Sequence, residues 1–584
     1  YHYSVKNGWG NDPCGLVYFE GTYHFFYQFY TDTVWGPMHW GHATSTDLIH
    51  WTNQPIALYP DEYGAMFSGC AVAADHSNAP DLFAEGESGI VIIVTGNGKS
   101  GADGYQRLIM AVSHDGGKTF QKNEEAKVLL DSSSATENPL GDPAFRDPKE
   151  FRYDNKWFLV CAGGPWRVYS SDDLIHWSVE STNKDLTTEC PDLYPVKTSD
   201  GTVKWILDRG GRLYQVGDFR QVDGKYTFVQ DPGTTDYTMN FGRDSYAAMT
   251  YFRAGVDFGT AGHVNAPDDI IAENWMNTWD DYCNLVSSKT GNDVWCGTYN
   301  IMTRQSLVRQ DDGSYRLAQT PLSEYESLRG DSVTVRGATL GTGENPFQDF
   351  HGTSYEIVAH ITPVEGQPTV GFDVRVGNGQ KTRVSYDFST HTVTIDRSQS
   401  GIILSNKFST PDHQAEVVTN ADGSIDLHIF VDRMSVEVFT ADDTISDANQ
   451  IFPTGYPDGL AAFAENGVAT LDATVHQLAG IWTVKGEQSS TPTGISVDTT
   501  SVAANPGDTN DVRVWVTPGY ANQDWTVSTS DPSVAWVVRT DTGLSIVASK
   551  PGTTTITIAS AADPSITKTI TVTVRANEFK TNVN

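Results

Sequence analysis

Three acidic side chains lie in settings where an acid can do chemistry. Asp12 sits in Gly8-Trp9-Gly10-Asn11-Asp12-Pro13-Cys14-Gly15, Asp147 in Phe145-Arg146-Asp147-Pro148-Lys149, and Glu189 in Thr188-Glu189-Cys190-Pro191-Asp192. Singly, each is a common turn carboxylate, because Asp before Pro starts turns. Jointly they supply what cleavage of a glycosidic bond requires. One carboxylate attacks or stabilises the developing cation, and a second carboxyl hands a proton to the leaving oxygen.

These residues are far apart along the chain, so the fold must bring them together. The chain reads as nearly all β, with short runs such as Tyr23-His24-Phe25-Phe26-Tyr27 and Trp157-Phe158-Leu159-Val160 between Gly, Asp, Asn and Pro turns. The one stretch read as helical is short, residues 268–275. Ala43-Thr44-Ser45-Thr46-Asp47-Leu48-Ile49-His50-Trp51 recurs as Tyr169-Ser170-Ser171-Asp172-Asp173-Leu174-Ile175-His176-Trp177, with a weaker copy at Ala111-Val112-Ser113-His114-Asp115-Gly116-Gly117. The Ser-x-Asp units begin at 45, 113 and 171, spacings of 68 and 58 residues. Repeats of that size, each holding about four strands, are the signature of a β-propeller. The first 322 residues hold about five of them. A propeller collects the inner strands of all its blades around one axis, so distant acids can converge at its mouth. Residues 323–484 alternate apolar and polar, as in Ser435-Val436-Glu437-Val438-Phe439, which fits a two-sheet sandwich. A polar linker over 485–493 leads to residues 494–577, rich in Val, Thr, Ser and Asp, which suit a small C-terminal Ig-like β-sandwich. The predicted fold is therefore all-β: a five-bladed β-propeller, a β-sandwich, then the Ig-like unit.

Composition narrows the function. Among 584 residues, 39 Lys and Arg face 73 Asp and Glu, a formal charge of −34 that repels nucleic acid and anionic membrane surfaces. The longest apolar run, residues 90–94, is far short of the roughly 18 needed to span a bilayer. With aromatic residues at 11% and charged residues at 19%, the chain can bury a large core. It opens Tyr1-His2-Tyr3-Ser4 without a signal peptide, as expected of a mature secreted form. Six cysteines are too few for a disulfide scaffold, and no CxxC pair suggests a zinc site. Cys283 and Cys296 are spaced to close one loop, and their pairing stays open.

At these motifs the sequence resembles glycoside hydrolase family 32, which comprises invertases, inulinases, levanases and related fructosyltransferases. Trp9-Gly10-Asn11-Asp12-Pro13-Cys14-Gly15 is similar to the family signature Trp-Met-Asn-Asp-Pro-Asn-Gly. Tyr23-His24-Phe25-Phe26-Tyr27-Gln28, Trp35, His39-Trp40-Gly41-His42-Ala43 and Phe67-Ser68-Gly69-Cys70-Ala71 follow. Phe145-Arg146-Asp147-Pro148-Lys149, Glu189-Cys190-Pro191-Asp192, Asp244-Ser245-Tyr246-Ala247-Ala248 and Asp432-Arg433-Met434-Ser435-Val436-Glu437-Val438-Phe439 extend the likeness over residues 5–480. The resemblance implies that Asp12 is the nucleophile, Glu189 the general acid/base and Asp147 a stabiliser of the transition state. Asn11, Gln28, Trp35, Trp40, Phe67, Ser68 and Arg146 are then expected to bind the terminal fructosyl unit, with Trp275 and Trp279 bordering the leaving group. His39, His42 and His50 are read as structural histidines. No cofactor and no metal are implied.

The roles carry electrostatic expectations. Asp12 must be ionised to attack, and hydrogen bonds from Asn11 and nearby amides favour the anion. Glu189 must alternate between charge states, so burial and a second carboxylate are expected to raise its pKa. Arg146 is expected to keep Asp147 charged. Cys14, Gly10 and Cys70 depart from the family pattern and are read as changes in the pocket wall. The insert over 254–269 is read as shaping outer subsites. The implied activity is a secreted retaining β-fructosidase acting on levan, inulin or sucrose. The alternatives are a fructosyltransferase, including one that forms a difructose anhydride from levan, and an inactive sugar-binding propeller. The Ig-like unit is expected to contact a cell surface or polysaccharide.

Overall fold

A computed structural model describes residues 1–98, 104–122, 127–253, 256–292, 294–411, 414–481, 492–497, 499–517, 524–540 and 543–576. The chain divides into two compact units, one of residues 1–376, 380–452 and 459–481, the other of 377–379, 453–458 and 482–584. The linker expected over 485–493 lies largely outside the described residues.

The first unit begins with a β-propeller. Its described residues form five sheets in chain order, opening with Gly8–Phe19, Ala65–Asp75, Arg146–Tyr153, Pro191–Lys197 and Tyr246–Thr250. In each sheet the next principal strands pair antiparallel, as Lys156–Ala162, Gly164–Ser171 and Ser178–Thr188 do after Arg146–Tyr153. The first sheet also takes Phe252–Arg253 and Trp295–Cys296 as parallel partners of Gly8–Phe19. Residues 90–94 lie in Ser88–Asn97 with no exposure at all, an apolar strand buried on both faces.

The repeated motif has one structural meaning. Ser45, Ser113 and Ser171 each end the third strand of their sheet. Each hydroxyl donates to the Asp two positions on, at 3.0, 2.8 and 3.0 Å. Asp47 Oδ1 and Asp173 Oδ1 then accept the backbone N–H groups of Ile49 and His50, and of Ile175 and His176. The turn needs a left-handed residue, supplied by Leu48 at φ 66° and Leu174 at φ 69°. The Asp side chains hold that backbone in place.

Two expectations about the last sheet are corrected. Residues 271–275 are a strand, Ile271–Trp275, paired with Tyr246–Thr250, because the sheet takes up the backbone groups that a helix would have bonded internally. The described part of the insert makes a small hairpin, Gly259–Thr260 with His263–Val264. Its Phe258 packs on Phe151 and Trp205. The hairpin therefore packs on the propeller core, and none of the described residues of 256–269 lines the cavities around the acids.

A β-sandwich completes the first unit. Its strands are hydrogen-bonded into one nine-stranded network that folds over on the long strands Tyr355–Gly377 and Gly459–Leu478. The two-faced pattern read at 435–439 lies on Ser435–Thr440, and Ile357, Phe372, Val384, Val436 and Leu471 lie in the core. Buried polar bonds join sandwich to propeller: Arg397 pairs with Asp244, Gln450 donates its backbone N–H to Asp244 at 2.7 Å, and Glu437 accepts from the Ile301 N–H at 3.0 Å. The second unit holds two four-stranded sheets sharing a core that includes Val516, Leu544, Ile546, Ile558 and Val572.

Candidate active site

Each of the five sheets brings one piece of the site at the start of its first strand. Gly8–Phe19 carries Asn11 and Asp12, Ala65–Asp75 carries Phe67 and Ser68, and Arg146–Tyr153 carries Arg146 and Asp147. Glu189 and Cys190 immediately precede Pro191–Lys197, and Tyr246 begins Tyr246–Thr250. Hydrogen bonds tie these starts to one another. Ser68 Oγ donates to Asp12 Oδ2 at 2.6 Å. Cys190 donates its backbone N–H to Asp147 Oδ2 at 3.0 Å and its thiol to Asp12 Oδ2 at 3.3 Å. Arg146 donates to Glu189 Oε1, and the Tyr246 hydroxyl donates to Glu189 Oε2 at 2.6 Å. All three acids expected from the sequence thus meet in one network.

The backbone is bent to achieve this. Asp147, Cys190 and Ala247 have φ of 62°, 41° and 53°, where residues with a Cβ are rarely held. The Asp147 N–H is caught by Thr95 Oγ1 at 3.0 Å. Gly163 at φ 70° leaves room for the Arg146 stem, since a Cβ there would lie 2.1 Å from its Cγ. Asn11 is oriented by the Trp9 indole N–H, which donates to its Oδ1 at 2.8 Å. Its amide then donates to Asp12 Oδ1 at 3.0 Å.

These residues enclose a cavity of about 340 Å³, lined by Asn11, Asp12, Gln28, Trp35, Phe67, Ser68, Arg146, Asp147, Glu189, Cys190, Tyr246 and Trp279. Asn11, Gln28, Ser68 and the two aspartates are buried at its base, while Trp35 and Trp279, each 42% exposed, stand at the rim. Trp35 meets Phe67 edge-on, with centroids 6.1 Å apart. A second cavity of about 410 Å³ adjoins on the Glu189 side, lined by Glu189, Arg212, Tyr246, Thr278, Trp279 and Asp280.

Two expected sugar-contacting residues lie elsewhere. Trp40 is fully buried, and its indole N–H donates to the Phe67 carbonyl at 2.9 Å, so it supports the pocket wall from behind. Trp275 is also fully buried and packs under Trp279 at 5.0 Å. Cys14 and Cys70 likewise sit behind the wall: the Cys14 thiol donates to the Asp12 carbonyl at 3.4 Å, and Cys70 contacts the buried Glu150. Conversely, Cys190 and Tyr246 line the cavity and had no assigned sugar contact. Their signal was position, since Cys190 follows Glu189 and Tyr246 stands in the motif that opens the fifth sheet. Cys283 and Cys296 are both buried free thiols. Among the described residues no cluster of His, Cys, Asp and Glu is arranged to hold a metal ion. Nor is any helix long and apolar enough to cross a membrane.

The electrostatics run opposite to expectation for all three acids. Burial pushes Asp12 above its ordinary value, although Ser68, Asn11 and Cys190 all donate to it. Burial likewise raises Asp147 to about 7, against the pull of Arg146 and with Glu189 adding to the rise. For Glu189 burial also acts upward, but the Tyr246 hydroxyl and the Arg146 guanidinium outweigh it and hold the carboxyl below its usual value. The Cys190 thiol is driven well up by burial and by Asp12 and Asp147, so it stays protonated and donates. One cation, one persistent thiol donor and three carboxyls can therefore share and relocate a proton within a single pocket.

The chain belongs to glycoside hydrolase family 32. The family's N-terminal domain model matches residues 2–321 and its C-terminal model residues 324–478. The chain is 49% identical to a fructan beta-fructosidase of Streptococcus mutans over 592 residues, covering all of this chain and 40% of that protein. It is 34% identical to a levanase of Bacillus subtilis over 508 residues, 82% of this chain and 70% of the levanase. The chain thus spans well under half of the first of these relatives. Among solved structures, the exo-inulinase of Aspergillus awamori superposes with a TM-score of 0.70 at 26% identity, over 82% of this chain and 98% of the inulinase.

Proposed function

We propose that this chain is the catalytic portion of a retaining β-fructosidase that removes terminal fructosyl units from fructans or sucrose. The observation that carries this reading is the double hold of Cys190, N–H on Asp147 and thiol on Asp12, one residue from Glu189. It sets three carboxyls around a cavity suited to one furanose ring.

In this reading Asp12 attacks the anomeric carbon while Glu189 protonates the leaving oxygen. A covalent fructosyl–Asp12 intermediate follows, and water, deprotonated by Glu189, then releases fructose. Asp147, Arg146, Asn11 and Gln28 take the ring hydroxyls, and Phe67 and Trp35 offer apolar faces. Glu189 must gain a proton before the first step. A sugar hydroxyl that draws Arg146 away removes one of the groups holding Glu189 down, and excluding water raises it further. Meanwhile Asp12 loses its proton to attack, so productive binding moves a proton from the Asp12–Asp147 side toward Glu189. The adjoining cavity at Arg212, Thr278 and Asp280 is read as the leaving-group side, with Trp279 between the two.

We read the five propeller sheets as five blades over residues 1–322, the sandwich as 323–484 and the second unit's two sheets, 494–577, as an Ig-like module that contacts a cell surface or polysaccharide. Secretion fits a similar protein described as an extracellular exo-inulinase of Aspergillus niger.

Incubation with levan, inulin and sucrose, followed by chromatography, tests the reading. Free fructose is the expected product, whereas a non-reducing fructose disaccharide means transfer between sugars. Asp12→Asn must abolish turnover, and retained activity overturns the nucleophile assignment. Glu189→Gln is expected to lose on the order of 10²–10⁴-fold through the missing proton transfer.

A further inference from the structure

Beside the catalytic mouth lies a second cleft, of about 260 Å³, between the last strands of the third and fourth sheets. Its walls come mainly from Ser178–Thr188 and Lys225–Gln230, with Arg209 and Gln215 from the neighbouring strands of the fourth sheet, and its surface combines two chemistries. Phe228 presents aromatic surface, while Asn183, Asp185, Arg209 and Gln230 present amide, carboxylate and guanidinium groups, with the Arg209 guanidinium paired on its far side with Asp236 and Trp166 buried behind them. Arg209 Nε and Gln230 Nε2 are buried beneath it without a hydrogen-bond partner among the described residues. A buried donor left without an acceptor is unfavourable, so oxygens arriving in the cleft would find two donors waiting. An aromatic face bordered by amides and mixed charge suits a neutral ring carrying several hydroxyls, with an apolar face for stacking and oxygens for the donors.

The cleft also adjoins the acid/base. Arg209 Nη2 donates to the Thr187 carbonyl at 2.9 Å, two residues from Glu189. The following residue, Gly210, is so near the Glu189 carbonyl that a Cβ there would lie 3.2 Å from it. The cleft wall is therefore continuous with the pocket rim on the side where a leaving chain departs. We propose that this cleft is a distal fructosyl-binding site that holds a fructan segment while the chain end is cleaved. The inference rests on the fructan reading above and adds a recognition site outside the pocket and its adjoining cavity.

The test compares sucrose, which cannot extend from the pocket to the cleft, with levan, inulin and fructo-oligosaccharides of graded length. Gln230→Ala removes a donor, and Asp185→Trp fills the cleft from an exposed position where folding is least at risk. One lost hydrogen bond of about 1 kcal/mol predicts a KM about fivefold higher for polymer, with kcat unchanged and sucrose kinetics intact. An effect appearing only above a threshold chain length identifies the segment as part of the chain being cleaved. An effect on polymer alone, with every oligosaccharide spared, identifies a separately held chain. Electrophoresis through a levan-containing gel reads the cleft without turnover: wild type should be retarded, and Asp185→Trp less so. Unchanged polymer KM and unchanged migration in both variants overturn the inference, as do equal losses on sucrose and polymer. Failure of the fructosidase reading itself looks different, because wild type then releases no fructose from any of these substrates.

Discussion

Replacing Tyr246 by Phe keeps the ring and deletes only the hydroxyl that donates to Glu189 Oε2 at 2.6 Å. A hydrogen bond to a charged acceptor contributes roughly 1.5–3 kcal/mol. The Glu189 side chain is 41% exposed, so water replaces part of the lost bond. Taking about half of the lower figure to the middle of that range leaves about 1 kcal/mol, or somewhat under one pKa unit upward at 1.36 kcal/mol per unit. If Glu189 is the acid of the first step, the descending alkaline limb of kcat, read at saturating sucrose where bound sugar has moved the proton to Glu189, must move to higher pH by that amount. The acidic limb, governed by ionisation of Asp12, should hardly move. The linked stability effect has its own sign. A depressed carboxyl stabilises the fold above its unfolded pKa and loses that contribution as pH falls through the folded pKa. The Phe variant should therefore be slightly less stable than wild type at neutral pH, and the difference should vanish in acid. Initial rates of fructose release from sucrose across pH, with thermal melts at the same pH values, read both effects. An alkaline limb that stays fixed or moves to lower pH would refute the claim that Tyr246 holds Glu189 down.

Other outcomes follow from the same geometry. Burial raises Asp147 to about 7, so its ionisation weakens the fold as pH rises from the ordinary aspartate value toward 7; Asp147→Asn should flatten the pH dependence of thermal stability in that window while abolishing turnover. Trp40→Phe loses the indole bond to the Phe67 carbonyl and should lower stability by about 1 kcal/mol. It should also raise the KM for sucrose through a loosened Phe67, whereas a direct sugar contact would lower sucrose affinity with no loss of stability in melts. Thiol titration of denatured, unreduced protein should find six free cysteines, and a count of four would mean that one pair, Cys283 and Cys296 being the first to examine, is oxidised.

Much of the site was legible along the chain because its acids sit in short motifs near the starts of first strands, where residue type is a local signal. Asp12-Pro13 and Asp147-Pro148 read as turns by residue type but lie at register shifts inside Gly8–Phe19 and Arg146–Tyr153, and the Ser-x-Asp repeat marks the ends of third strands. Side-chain direction was much less legible. Trp35 and Trp40 lie five residues apart in one motif, yet Trp35 stands at the rim on a loop tied by its N–H to Asn284 Oδ1 at 3.0 Å. Trp40 points from the strand His39–Ser45 into the core. Trp275 and Trp279 divide in the same way. A Trp near a sugar-binding motif looks alike in sequence whether it faces the ligand or props up the wall that does.

Read alone, the amino-acid order showed the all-β repeat, three acids of the kind that glycoside cleavage needs and a strongly acidic net charge. Those properties belong to residue types and to spacing over a few positions. Only the tertiary structure decided which aromatics meet the cavity and how each acid is charged. Asp12 answers to Ser68 and Cys190, and Glu189 to Arg146 and Tyr246, from three other sheets between them. A carboxyl's proton affinity depends on burial and on what lies within a few ångströms, and those neighbours come from parts of the chain 43 to 178 residues away.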